Sequence, residues 1–264
     1  MLTRRNFLRS SAATAAAVAV SSLAPTAFAA GNPVSEDATL ESLRDQLRTA
    51  YFESEEFQQH YAADPEDAME MLDGIIERQI SGYPVAAAYD ETYSVSTTLV
   101  QQLNSYSCGP ASGYIAISGW NGTGSISGTT TTGKLQTLAN SMGTTTDGTF
   151  VYRVRNTLNS YVSTYPYSYY LGSSMTQTDF CNYLVRSLGC SRAPILHART
   201  QGLSYYNGHS SGHYITITQF NGTTMNVRLN DPNSSNTYYG THTVSVAEAF
   251  AAIHNYSDRY LIAY

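Results

Sequence analysis

Two runs in which apolar and polar residues alternate, His213 to Phe220 and Met225 to Asp231, flank the turn sequence Asn221-Gly222-Thr223-Thr224. A period of two turns one face of a strand toward a core, and Asn-Gly favours a tight reversal, so the stretch predicts an antiparallel hairpin. A hairpin makes neighbours of residues distant in the chain. The start of its first strand, His213, comes beside the end of its second, Asn230 and Asp231. A two-residue turn sets His213 opposite Asn230, and a three-residue loop sets it opposite Asp231. Asp231 is the preferred partner, because an ionised carboxylate on an imidazole N–H fixes the tautomer and stabilises the charged ring. Asn230 is the alternative orienter.

A base of this kind needs a nucleophile, and the cysteines supply one candidate. The chain has three, Cys108, Cys181 and Cys190. If residues 181 to 188 are helical, a rise of about 1.5 Å per residue puts Cys181 roughly 12 Å from Cys190. A disulfide needs Cα atoms within about 7 Å, so geometry argues against that pair. Cys181 sits near the Leu184 and Leu188 face of the expected helix and reads as a small buried hydrophobe. Cys108 opens the run CGPASGYIAIS, which suits a helix with Ala111, Tyr114 and Ile115 on one face, although Ile115 and Ile117 suit a strand equally; in the helical reading Cys108 is at its N-terminus. At a helix N-terminus, unpaired N–H groups and the macrodipole favour a thiolate.

The charge distribution divides the chain. Glu36 to Glu91 hold 15 acidic and 3 basic residues, whereas Thr92 onward holds 5 acidic and 8 basic. With no cluster of Lys and Arg, nucleic acid is excluded as a partner. In the acidic segment Leu40, Leu43, Leu47, Ala50, Tyr51 and Ser54 share a helical face, and Asp64-Pro65 announces a second helix that Gly82 and Pro84 should end. The pair reads as a solvated extension packed on the main domain, or as an inhibitory propeptide over a less acidic groove. Beyond it, helical patterns (TGKLQTLANSM, TQTDFCNYLVRSLG) precede strand patterns (APILHAR and the hairpin), and TVSVAEAFAAI passes from strand to helix. Helices followed by antiparallel strands indicate an α+β domain. The tyrosine clusters YPYSYY and SYYNG are candidates for lining an extended peptide or glycan groove, or for surface strands and loops.

The first residues, MLTRRNFLRS followed by an Ala/Val-rich run and AFA ending at Ala29, resemble a twin-arginine signal peptide. The run from Ala12 to Ala24 is interrupted by Thr14, Ser21 and Ser22 and falls short of the roughly 20 apolar residues of a membrane span. Such signals imply a bacterial chain, exported folded and secreted, with no membrane contact after cleavage.

Gln102, five residues, CGPAS, then GHYITIT about a hundred residues later and LNDP beyond it resemble, in that order, the C39-like cysteine peptidases of the papain-like superfamily. The resemblance covers roughly residues 95 to 255. It implies a papain-like α+β fold in which the nucleophile heads a helix packed on an antiparallel sheet. It further implies Cys108 as nucleophile, His213 as base, Asp231 as its orienter and the Gln102 amide as oxyanion donor, with Gln101 the alternative if the loop shifts by one. The substrate implied is a peptide or protein, and no cofactor or metal is called for. The resulting division is a signal peptide over 1–29, an acidic helical extension or propeptide over 30–88 and a catalytic domain over 89–264. The expected activity is peptide hydrolysis through a thioester. An acyltransferase or amidase with the same triad and a non-catalytic secreted binding module are the alternatives.

Overall fold

A computed structural model describes residues 36–80 and 89–264, all within one compact unit. Eight α-helices and seven strands are formed among them. The acidic segment contributes α1 (Glu36–Phe52), α2 (Glu55–Ala63) and α3 (Pro65–Ile80). Three helices stand where two were expected, because Ser54 does not extend the first face. Its hydroxyl instead accepts the Phe57 N–H and caps a new helix. Asp64 and Pro65 start the next as anticipated, with Asp64 Oδ1 accepting the Asp67 N–H at 3.1 Å. The expected stop at Gly82 and Pro84 lies outside the described residues.

The larger part follows as β1 (Thr92–Ser94), α4 (Cys108–Trp120), α5 (Thr131–Ser141), α6 (Val151–Asn159), β2 (Ser168–Leu171) and α7 (Gln177–Gly189), then β3 (Ile195–Arg199), β4 (Gly212–Asn221), β5 (Asn226–Asp231), β6 (Gly240–Ser245), α8 (Val246–His254) and β7 (Tyr260–Ala263). The strands form one antiparallel sheet in the order β2-β7-β3-β4-β5-β6. β1 pairs with the far end of β4. The fold is α+β, with helices of the N-terminal half packed on this sheet. Two strands, β1 and β2, arise earlier in the chain than the pattern of helices first and strands last allowed. Both are too short, at three and four residues, to show a period.

The hairpin forms with neither expected register. Asn221 pairs with Asn226, leaving a four-residue loop, and a bulge at Thr218 shifts the ladder so that Thr216 faces Asn230. The Asn221 side chain accepts the Thr224 N–H, and Met225 takes a left-handed φ of 52°, which together lengthen the reversal. Continued to its end, this register leaves Asp231 on the same face as His213, because residues two apart share a face.

Helix α4 is the centre of the packing. Every residue from Cys108 to Ile117 is buried, and Thr216 of β4 donates to the Ser112 carbonyl at 3.1 Å. Gly109 permits close approach: a Cβ there would lie 2.9 Å from Thr149 Oγ1. Thr149 also accepts the Tyr214 hydroxyl at its carbonyl, at 2.8 Å. Helix α4 and strand β4 are thereby pinned to one another at positions adjoining Cys108 and His213.

The acidic helices close the sheet's β2 edge. Tyr51, fully buried, accepts the Leu171 N–H at 2.9 Å and directs its hydroxyl at the Tyr169 carbonyl. These are backbone groups that β2 turns away from β7. His60 lies between the Tyr169 hydroxyl and Asp67 at 2.8 and 2.7 Å, stacked on Tyr152, while Asp67 also pairs with Arg155. Glu56 accepts the Val151 N–H at the start of α6. Of the YPYSYY tyrosines, expected in a groove or at the surface, three are interior: Tyr167, Tyr169 and Tyr170 are buried beneath this contact, while Tyr165 is exposed. Tyr51→Phe should strand the Leu171 N–H and lower stability by about 1–3 kcal/mol, read from the denaturant midpoint. Deleting residues 30–88 should abolish soluble, folded protein; a folded and more active product would identify an inhibitory arm instead.

Candidate active site

Cys108 is the first residue of α4, with Ser107 at the cap position. A first-turn N–H has no acceptor within its own helix, and the backbone of Gly109 and of Tyr214 on β4 favours the ionised sulfur. His213, the second residue of β4, lies beside the thiol and favours its ionised form. The thiol and imidazole are both buried, at 7 % and 4 % exposure.

Behind the imidazole stands Asp231, the last residue of β5 and fully buried. Its Oδ1 lies 2.8 Å from His213 Nε2. Since Nε2 meets the carboxylate, the other ring nitrogen is left for the thiol. Asn230 points elsewhere: its amide donates to Thr97 Oγ1 and accepts from Thr241. Between the two orienters left open by the sequence, the structure puts only Asp231 on His213.

Gln102 is buried in the loop before α4. Its N–H donates to the Pro232 carbonyl at 2.7 Å, and its Nε2 donates to the Asn104 carbonyl at 2.6 Å. An amide nitrogen has two N–H groups, so one remains for another acceptor. Gln101 uses its side chain differently, donating to the Asn233 and Ser234 carbonyls and to Asn236 Oδ1. It ties the loop after β5 to the loop before α4. All four predicted residues are thus carried by α4, β4, β5 and the loop that leads into α4.

The electrostatics run in one direction. Burial pushes the Cys108 thiol up, but the hydrogen bond and charge of His213 and the two N–H groups outweigh it and leave the pKa below 9.0. Burial pulls His213 down, while Asp231 and Cys108 overcome this and raise it to about 10. Burial also opposes ionisation of Asp231, and His213 with two tyrosine hydroxyls holds it below 3.8. These opposite shifts, the thiol lowered and the imidazole raised, both favour a thiolate beside an imidazolium. By contrast, burial alone acts on Cys181 and raises its thiol to about 11. Cys181 and Cys190 are both free, in keeping with the argument against their pairing.

A model of the Peptidase_C39 like family matches residues 94–261, well over half of the chain. The chain belongs to that family. A twin-arginine translocation signal matches residues 1–21 and marks the chain for export, and no helix among the described residues is long and apolar enough to cross a membrane. Two solved structures are similar to this C39-like chain, each at a TM-score of 0.41. One, a double glycine motif protease from an AMS/PCAT transporter in complex with the leader peptide, shares 14% identity over 68% of this chain and 96% of its own. The other, the peptidase domain of Streptococcus ComA, a bi-functional ABC transporter involved in quorum sensing, shares 13% identity over 64% of this chain and 98% of its own. No curated protein matches the sequence.

Sequence reasoning missed two side chains of this C39-like site. Tyr205 and Tyr206, candidates for a groove or a surface loop, instead donate their hydroxyls to Asp231. No local pattern distinguishes a phenol that faces solvent from one that meets a carboxylate 25 residues onward. In His213→Ala, the Cys108 thiol loses the partner that most opposes the effect of burial, so its pKa should rise. Selective alkylation of Cys108 near neutral pH should then disappear, as peptide mapping after labelling would show; equal labelling of all three cysteines in the unaltered protein would refute the paired state.

Proposed function

We propose that this C39-like protein is a secreted cysteine peptidase that hydrolyses peptide bonds through a thioester. The observation that supports it is the sequence of contacts Cys108 to His213 to Asp231, in which a buried thiol at a helix N-terminus adjoins a base and its carboxylate. In this reading the Cys108 thiolate attacks the carbonyl carbon of a peptide. The His213 imidazolium gives its proton to the departing amine as the C–N bond breaks. Water then attacks the thioester, His213 takes its proton, and the acid leaves as the thiolate is restored.

The charge that develops on the carbonyl oxygen needs donors. The Cys108 N–H and the second N–H of Gln102 Nε2 fill that role in the proposed mechanism. The Asn104 carbonyl supports it by setting which way the Gln102 amide faces. Residues 89–264 form the catalytic domain in this proposal, and the acidic helices over 30–88 remain with it as a structural extension. The substrate is a peptide or protein met outside the cell. Leader-peptide specificity is not carried over from the transporter domain solved with such a ligand.

The test is cleavage of a denatured protein or peptide mixture by the mature chain. Cys108→Ala should remove activity by at least about 10³-fold, and Gln102→Ala should lower kcat by about 10²-fold. Added amine separates the alternatives: amide products in place of acids indicate an acyltransferase, and no thioester with any acyl donor indicates a binding module.

A further inference from the structure

Beyond the residues given roles above, two phenols rest on the carboxylate that orients the base. Tyr205 and Tyr206 occupy the 3-10 turn Ser204–Tyr206, and both hydroxyls lie 2.8 Å from Asp231 Oδ2. We propose that Tyr205 and Tyr206 are positioning residues of this hydrolase, clamping Oδ2 so that Oδ1 faces His213 Nε2. The inference rests on the reading of Cys108, His213 and Asp231 as the reacting set.

Acceptor arithmetic supports the clamp. A carboxylate offers about four lone-pair sites. His213 Nε2 and the Asn233 N–H occupy Oδ1, and the two hydroxyls occupy Oδ2. With both oxygens doubly engaged, rotation of the group breaks at least two bonds at once. The direction of one bond is also fixed. Asn233 Nδ2 donates to the Tyr206 oxygen at 2.9 Å, so the Tyr206 proton is directed at Asp231. Burial, followed by the charge of Asp231, pushes both phenols far above their ordinary range, which keeps them protonated donors.

The rings are held as firmly as the hydroxyls. Tyr205 stacks on His242 of β6 at 3.8 Å and 5°, and Tyr206 stacks on Tyr238 at 4.4 Å and 23°. His242 Nε2 and the Tyr238 carbonyl are 2.8 Å apart, so the two stacks brace each other. Glu248 of α8 accepts the Ser204 N–H and anchors the turn itself. The titratable and charged groups around Asp231 are therefore His213 on β4, Cys108 on α4 and the two tyrosines, with His242 and Glu248 behind Tyr205.

The test uses Tyr205→Phe, Tyr206→Phe and the double variant in the mature chain, since phenylalanine keeps the stacking and removes only the donor. Iodoacetamide alkylation of Cys108, mapped by mass spectrometry, is followed against pH. Losing donors makes the Asp231 carboxylate easier to protonate, so its charge is lost at a higher pH on acidification. The acid edge of Cys108 reactivity should move upward, by about one pH unit in the double variant, with smaller movements in the singles. A merely structural role would change the rate at every pH and leave the edge in place, and that result overturns the proposal, as does coincidence with the unaltered protein. If the double variant fails to fold, Tyr205→Phe carries the same test. Failure of the unaltered Cys108 to label selectively would instead overturn the reading of the triad, so the two failures are distinguishable.

Discussion

Asp231 carries its charge with no exposure to solvent, and much of the site is arranged to compensate it. An unpaired buried carboxylate costs several kcal/mol or takes up a proton. Here donors arrive from β4, from the turn at Ser204–Tyr206 and from the backbone of Asn233. Each also fixes a piece of geometry. The loop that supplies Asn233 is tied by Gln101 and by the Gln102 N–H to the loop that presents Cys108. The hydrogen bonds around the carboxylate therefore set the spacing between Cys108 and His213.

A second constraint lies at the other end of the sheet. An edge strand exposes backbone groups that invite pairing with another chain. In this molecule Tyr51 occupies two of those groups on β2, and the buried His60 with the half-buried Asp67 and Arg155 forms a polar bridge beside it. The acidic segment differs in composition from the rest of the chain, yet its apolar stripe and one tyrosine hydroxyl complete the larger part's core. Its contact at Glu56 reaches the start of α6, two residues from the Thr149 that packs against Gly109. Sheet closure and site architecture are in this way physically continuous.

The sequence by itself determined what depends on local rules. The capped helix starts, the two strands of the hairpin and the helix that runs between Cys181 and Cys190 follow from periods, caps and rise per residue, and the structure shows each of them, although β4 is buried on both faces rather than on alternate residues. Cys108 at the head of a helix was legible in part, because Ala111, Tyr114 and Ile115 behind it share a helical face while Ile115 and Ile117 suit a strand equally. The hairpin brought His213 beside Asp231 and Asn230, and the family motif then added Gln102 and joined the residues into one ordered set. Only the tertiary structure decided the hairpin's register, because a four-residue loop and a bulge at Thr218 depend on side-chain bonds and packing that alternation does not encode. It also decided where the tyrosines go. Tyrosine is apolar on its ring and polar at its tip, so the same residue serves in a core, on a surface or against a carboxylate. Tyr169 was placed inside by Tyr51 and His60, and Tyr205 and Tyr206 were placed on Asp231 by the rings stacked behind them. Such partners lie scores of residues away in some cases, and their positions exist only once the chain has folded.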